Sequence, residues 1–138
     1  MAEGLSIEIT TPQKQWRFEH AASCTAPGVL GNFQVLQNHA PLMSELTVGE
    51  LKVVVDGDEK YFAVSGGFLE VKNNVVSLVL EACEAADEID VERAQRAMER
   101  AKQRLKERRP DLDVVRAEAA LTRALNRLRV ARKKTATT

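Results

Sequence analysis

The sequence predicts a β + α chain, an N-terminal antiparallel β-sandwich or flattened barrel followed by a C-terminal antiparallel two-helix hairpin. Three changes coincide near Glu88/Ile89 and predict it. The hydrophobic period passes from two to about 3.6 residues there. All 7 glycines, all six aromatic residues and both cysteines lie before the break. The charge also reverses: residues 1–88 hold 5 Lys+Arg against 13 Asp+Glu, net −8, and residues 89–138 hold 15 against 7, net +8. With 138 residues, 44% of them hydrophobic, the chain can bury one modest core with a dependent appendage. The expected division is a sandwich over 1–86, a hairpin over 89–132 and a disordered basic tail over 133–138.

In the first part, apolar residues alternate over short runs: Leu5, Ile7 and Ile9; Trp16 and Phe18; Leu51, Val53 and Val55; Phe62 and Val64; Val76, Leu78 and Leu80. Each run fits a strand with one buried face. Turn chemistry separates them at Thr11-Pro12, Ala26-Pro27-Gly28, Asp56-Gly57-Asp58 and Asn73-Asn74, and Ser65-Gly66-Gly67 reads as a chain reversal with close backbone approach. Asn38-His39-Ala40-Pro41 reads as an exposed loop rim before an extended X-Pro step.

The second part contains no glycine and one proline. Val91, Ala94, Met98, Ala101 and Leu105 are spaced 3, 4, 3, 4, and Ala117, Leu121, Ala124, Leu128 and Ala131 are spaced 4, 3, 4, 3, which is the seam of two amphipathic helices. Pro110 ends the first helix, and Asp111 or Asp113 can cap the second. Alanine at half the seam positions buries little apolar area, so the hairpin is marginal alone and suited to movement.

Several function classes are excluded by what the residues lack. No run reaches the roughly 18 apolar residues of a membrane helix, and MAEGLSIEITTP is not a signal peptide, so the chain is expected to remain where it is made. Cys24 and Cys83 read as buried thiols of a reducing compartment. No nucleophile–base set, phosphate loop or metal-ligand spacing is present, so an enzyme is the least supported class. A nucleic-acid binder is disfavoured because Glu92, Glu99, Glu107 and Glu118 interrupt the arginines and no aromatic residue lies in the helices to stack on bases.

One basic pattern stands out. Arg93 and Arg100, seven apart, share a face of the first helix, and Arg123 and Arg127, four apart, share a face of the second. A closed hairpin can bring these four guanidiniums together beside Asp90, itself a plausible helix cap; a solvated charged face is the bland alternative.

Three ordered stretches, Gly31-Asn32-Phe33-Gln34-Val35-Leu36-Gln37-Asn38-His39-Ala40-Pro41-Leu42, Val64-Ser65-Gly66-Gly67-Phe68-Leu69-Glu70-Val71 and Ile89-Asp90-Val91-Glu92-Arg93-Ala94, precede a hairpin that ends Leu125-Asn126-Arg127-Leu128. Together they closely resemble the ε subunit of the F-type ATP synthase, the δ subunit in mitochondria. The resemblance implies a non-catalytic subunit of the rotary proton-translocating machine, peripheral on the cytoplasmic face of a bacterial membrane. Its partners would be the γ subunit, the c-subunit ring and the α and β subunits. It implies c-ring contact through Asn32 and His39 and an ATP site at Glu84, Ile89, Asp90, Arg93, Arg100, Arg123 and Arg127. It also implies inhibition of ATP hydrolysis by Arg116, Arg123, Arg127, Arg129 and Arg132 when the hairpin extends along γ. No cofactor or metal is required; ATP would be a regulatory ligand. The alternative is a ligand-free structural adaptor with a coiled-coil arm.

Overall fold

In the computed structural model, which describes residues 3–133, seven strands precede a 3-10 turn and two helices. The strands are β1 (Leu5–Thr10), β2 (Gln15–Gly28), β3 (Gly31–Leu36), β4 (Leu42–Leu46), β5 (Gly49–Val55), β6 (Asp58–Lys72) and β7 (Val75–Ala85). The 3-10 turn is Ala86–Glu88, α1 is Val91–Glu107 and α2 is Val114–Ala131. The chain divides into two compact units, Met1–Ala85 and Ala86–Thr138. Apart from Lys133, the tail expected over 133–138 lies outside the described residues.

Pairing in the first unit runs from β1 through β7, β6, β5 and β2 and back to β1, which closes the sheet into a flattened barrel. Closure is made by two long strands. The first part of β2 pairs with β1 and its later part with β3 and β5, while β6 pairs first with β5 and then with β4. A register shift in the β1–β2 ladder, with His20 at φ 58°, marks the bulge where β2 bends. Inside lie Leu5, Ile7, Ile9, Leu51, Val53, Val76 and Leu78, each at most 1% exposed. Full burial of each such side chain contributes about 1.5–3 kcal/mol. Trp16 and Phe18 meet Phe62 edge to face, at 5.6 and 6.0 Å between centroids.

Four readings need correction. The expected turn Ala26-Pro27-Gly28 is the end of β2, and the chain reverses one step later at Val29-Leu30. Pro27 is tolerated because its carbonyl still accepts from Thr47 N–H (2.9 Å) and no donor is demanded of it. The alternation pattern assigns no strand to Gly31–Leu36 or Leu42–Leu46, which form β3 and β4. Ser65-Gly66-Gly67 is no reversal: it lies within β6, whose register against β7 is unbroken. The close approach is real, since a Cβ on Gly67 (φ 140°) would lie 2.2 Å from Val79 O. Finally, the sheet is not wholly antiparallel, because β1 and β7 run parallel. Asp56-Gly57 (φ 53° and 79°) and Asn73-Asn74 (φ 50° and 63°) are hairpin turns as expected.

In the second unit α1 and α2 pack together, and the connection 108–113 is short enough to make them antiparallel. Asp90 caps α1 through Arg93 N (3.0 Å), and Asp113, not Asp111, caps α2 through Arg116 N (3.0 Å). The first helix stops at Arg108, whose left-handed backbone (φ 46°) lets its N–H donate to Arg104 O (3.2 Å). The seam mixes small and large residues: Ala94, Met98 and Ala101 of α1 and Ala117 and Ala124 of α2 are buried, and Leu105, Leu121 and Leu128 at the same spacing are half-buried.

Candidate functional site

Helical period and antiparallel packing place the arginines. Arg93, Arg100 and Arg104 follow one another by 7 and 4 residues on α1, and Arg116, Arg123 and Arg127 by 7 and 4 on α2. Each set occupies one strip beside its helix's buried seam. Antiparallel partners present equivalent strips on the same side of the pair, so the six residues form one edge of the hairpin. Arg104 and Arg116 indeed line a common cavity at its closed end. The half-buried Ala97 and Ala120 fall between these strips and the seam.

The edge is electrostatically incomplete. Among the described residues no ion pair is made by Arg93, Arg100, Arg104, Arg116 or Arg123, whereas Arg96 pairs with Glu92 (3.9 Å) and Arg109 with Glu107 (3.3 Å). Glu92, Glu99 and Glu118 lie on other faces by the same period. Arg127 is half-buried and engaged, with its Nε out of solvent. Such a row repels itself in the absence of an anion, and guanidinium forks match phosphate oxygens.

Of the ATP set implied by resemblance, Ile89, Asp90, Arg93, Arg100, Arg123 and Arg127 belong to the second unit, where Ile89 is buried and Asp90 is committed to its cap. Glu84 belongs to the first unit, near the end of β7, and is half-buried and engaged. Arg104 and Arg116 complete the row, yet Arg104 had no place in the expected sites and Arg116 figured only among inhibitory contacts. Their 7-and-4 spacing from the named arginines was the available signal. The five arginines expected to make inhibitory contacts separate into two groups: Arg116, Arg123 and Arg127 share the edge, while Arg129 and Arg132 lie on the opposite flank of α2, with Arg129 donating to the buried Asn126 Oδ1 (2.7 Å).

In the first unit, Asn32 is exposed at the start of β3 and paired with Pro27. His39 lies beyond the other end of β3, its N–H donating to Leu36 O (3.1 Å) and its Nδ1 2.7 Å from Ala40 O. From Asn32 to the end of β3 at Leu36 the strand runs roughly 13 Å at about 3.3 Å per residue, and His39 lies beyond that end. Beside Asn32 the turn projects Val29 (50% exposed) and Leu30 (101%). The outer face of β4, β6 and β7 carries a second apolar group, in which Phe68 is paired with Val79 and lies diagonal to Met43. These three are 54%, 63% and 67% exposed respectively, with Glu45 and Glu70 in the same rows. Both cysteines are free, and burial pushes the Cys24 thiol up to about 12.

A flattened barrel followed in sequence by a basic two-helix hairpin is the order of elements found in the delta and epsilon chains of ATP synthases. Residues 4–86 match the β-sandwich domain of the ATP synthase delta/epsilon chain, and residues 87–132 match its long α-helix domain. The chain belongs to the ATP synthase delta/epsilon family, on its epsilon-chain branch. It is 50% identical over 110 residues to the ATP synthase epsilon chain of Carboxydothermus hydrogenoformans, covering 80% of this chain and 82% of that one. It is 45% identical over 111 residues to that of Geotalea daltonii, covering 80% of each. Among solved structures, a chain of the Euglena gracilis mitochondrial ATP synthase superposes with a TM-score of 0.74 at 28% identity, over 88% of this chain and 77% of that one. A chain of the Tetrahymena thermophila mitochondrial ATP synthase shares the fold, with a TM-score of 0.59 at 21% identity over 97% and 96%.

Proposed function

We propose that this chain is the central-stalk epsilon subunit of a rotary proton-translocating ATP synthase, held at the cytoplasmic face of a bacterial membrane through the complex. In this reading the sandwich joins γ to the c ring, and the hairpin restrains ATP hydrolysis in response to ATP. The observation that carries the regulatory part is that Arg93, Arg100 and Arg123 make no ion pair among the described residues: closure of the hairpin assembles a row of positive charge that a polyphosphate can neutralise. ATP bound at Arg93, Arg100, Arg123 and Arg127 of that row favours the closed hairpin by its differential affinity. At free ATP ten times the dissociation constant this linkage adds about 1.4 kcal/mol, enough to shift a balanced hairpin roughly tenfold. When the hairpin opens along γ, the basic α2 meets acidic surface on the catalytic β subunits and blocks rotation in the hydrolysis direction.

The sandwich supports its own part of the reading. Met43, Phe68 and Val79 form an apolar face rimmed by carboxylates, suited to a basic, apolar helix such as γ would offer, and the rim around Asn32 supplies the c-ring end. His39, beyond the far end of β3, is read as serving a different contact from Asn32.

Calorimetric titration of the isolated chain with ATP tests the sensor. Loss of one charged hydrogen-bonding partner costs about 1.5–3 kcal/mol, so Arg123→Ala should weaken binding roughly 10- to 100-fold, while Arg109→Ala, already paired with Glu107, should change it little. No heat and no melting shift at millimolar ATP would favour the ligand-free adaptor.

A further inference from the structure

The arginine edge does not stop where a nucleoside triphosphate set would. Eleven residues separate Arg93 from Arg104, and the same number separate Arg116 from Arg127, so the two strips run in parallel for about 16 Å. Antiparallel packing makes three successive rungs of them: Arg93 with Arg127, Arg100 with Arg123, Arg104 with Arg116. The last rung opens on a cavity of about 570 Å³ lined by Arg104, Glu107, Arg109, Asp111, Asp113 and Arg116, with Leu112 and Ala117. Three carboxylates share this cavity, but two are committed. Glu107 bonds Gln103 Nε2 (2.9 Å) and pairs with Arg109, and Asp113 caps α2. Arg104 and Arg116 make no ion pair among the described residues. Between the capping Asp90 at one end and Glu107 at the other, the helical period puts no carboxylate on the edge.

We infer that the edge is a track for a linear polyanion longer than a triphosphate, namely inorganic polyphosphate, with Arg104 and Arg116 forming a terminal subsite that ATP does not need. This rests on the reading of the edge as a phosphate-binding row. A chain of linked phosphates places a negative charge at short, regular intervals with no bases to accommodate, and so matches a row that has guanidiniums along its length and no aromatic side chain for stacking. Such a ligand bridges both helices over the whole row and holds the hairpin closed more strongly than a ligand that stops at the second rung.

The test is titration of the full-length chain with a linear polyphosphate of defined length, with tripolyphosphate, with ATP, and with a single-stranded oligonucleotide of matching charge. The double variant Arg104→Gln/Arg116→Gln alters two exposed side chains, and its melting temperature checks that it folds. The expected result is at least a tenfold loss of affinity for the long polyphosphate, less than a twofold change for ATP, and a steeper salt dependence for polyphosphate than for ATP, as more charges are neutralised. Undiminished polyphosphate binding by the double variant overturns the inference, as does equal binding of the oligonucleotide by the wild-type chain. The two readings fail separately. Polyphosphate binding that depends on Arg104 and Arg116 without any ATP binding sustains the track and removes the nucleotide sensor; ATP binding without such dependence removes only the track.

Discussion

The sandwich and the hairpin are stabilised by different means. Inside the sandwich, Ile7, Leu51, Val53 and Val76 are fully buried, and the sheet closes on itself, so that nearly every interior strand has two hydrogen-bonded neighbours. Half of the hairpin seam positions are alanine; its ends rely on caps, and one side carries a row of arginines of which Arg93, Arg100, Arg104, Arg116 and Arg123 make no ion pair among the described residues. A large-residue core resists partial opening, because removing any strand exposes many methylenes together. A two-helix seam with alanine at half its positions buries less apolar area and separates at smaller cost. The two units therefore differ in what opening them costs, large for the sandwich and small for the hairpin.

The comparison breaks first on core substitutions, where the largest effect is expected. Ile7→Ala or Leu78→Ala removes a side chain that is at most 1% exposed, and should destabilise the sandwich by about 2–5 kcal/mol. Ala101→Gly in the hairpin seam should cost only about 1 kcal/mol, mostly helix propensity. Urea denaturation followed by a sandwich probe, Trp16 fluorescence, should register the first and scarcely respond to the second. Comparable shifts of that probe would mean that the two units unfold as one body.

Much of this contrast was legible in the sequence, for physical reasons. Strands such as β1 and β7 bury one clean face, so alternation marks them, and α1 and α2 announce themselves by their 3-and-4 spacing. By contrast, β3 buries fully only Val35 and half-buries Phe33, too little alternation to separate from a loop. Gly66 and Gly67 were misread because a glycine pair signals close backbone approach without saying whether the chain turns or another strand passes against it. In the hairpin, the four arginines named by resemblance were a subset of a six-residue row. Its full extent followed only when antiparallel packing brought Arg104 and Arg116 into one cavity.

A second, smaller effect sharpens the comparison from the sandwich side. Burial raises the Cys24 thiol from 9.0 to about 12. The thiol is neutral in both states below about pH 9, so it changes nothing there; above that pH the unfolded chain ionises first, and stability is lost as pH rises towards the folded value. Cys24→Ala should therefore flatten the fall in sandwich stability between pH 9 and 11, and at neutral pH Cys83, which is half-buried, should react with thiol reagents ahead of Cys24. An unchanged alkaline slope would place the titration elsewhere.

The smallest expected effect bears most directly on the independence of the units. Asp113 satisfies the N–H of Arg116 at the start of α2, and replacing it with alanine should cost about 1 kcal/mol. In a well-packed domain a loss of that size lowers the global melting temperature and leaves local exchange patterns alone. In a two-helix hairpin with alanine at half its seam positions it is a large share of the closing free energy, so it should appear as local opening. Hydrogen exchange can separate the two cases: Asp113→Ala should raise exchange of the α2 amides roughly fivefold, which is about 1 kcal/mol of opening free energy, while the amides of β1 and β7 keep their wild-type protection. A polyphosphate bound along the arginine edge should reverse the effect, because it favours the state in which both helices meet. If protection falls equally in β1, β7 and α2, the hairpin is an integral part of a single cooperative fold, and a ligand on its edge would stiffen the whole subunit without moving one part of it.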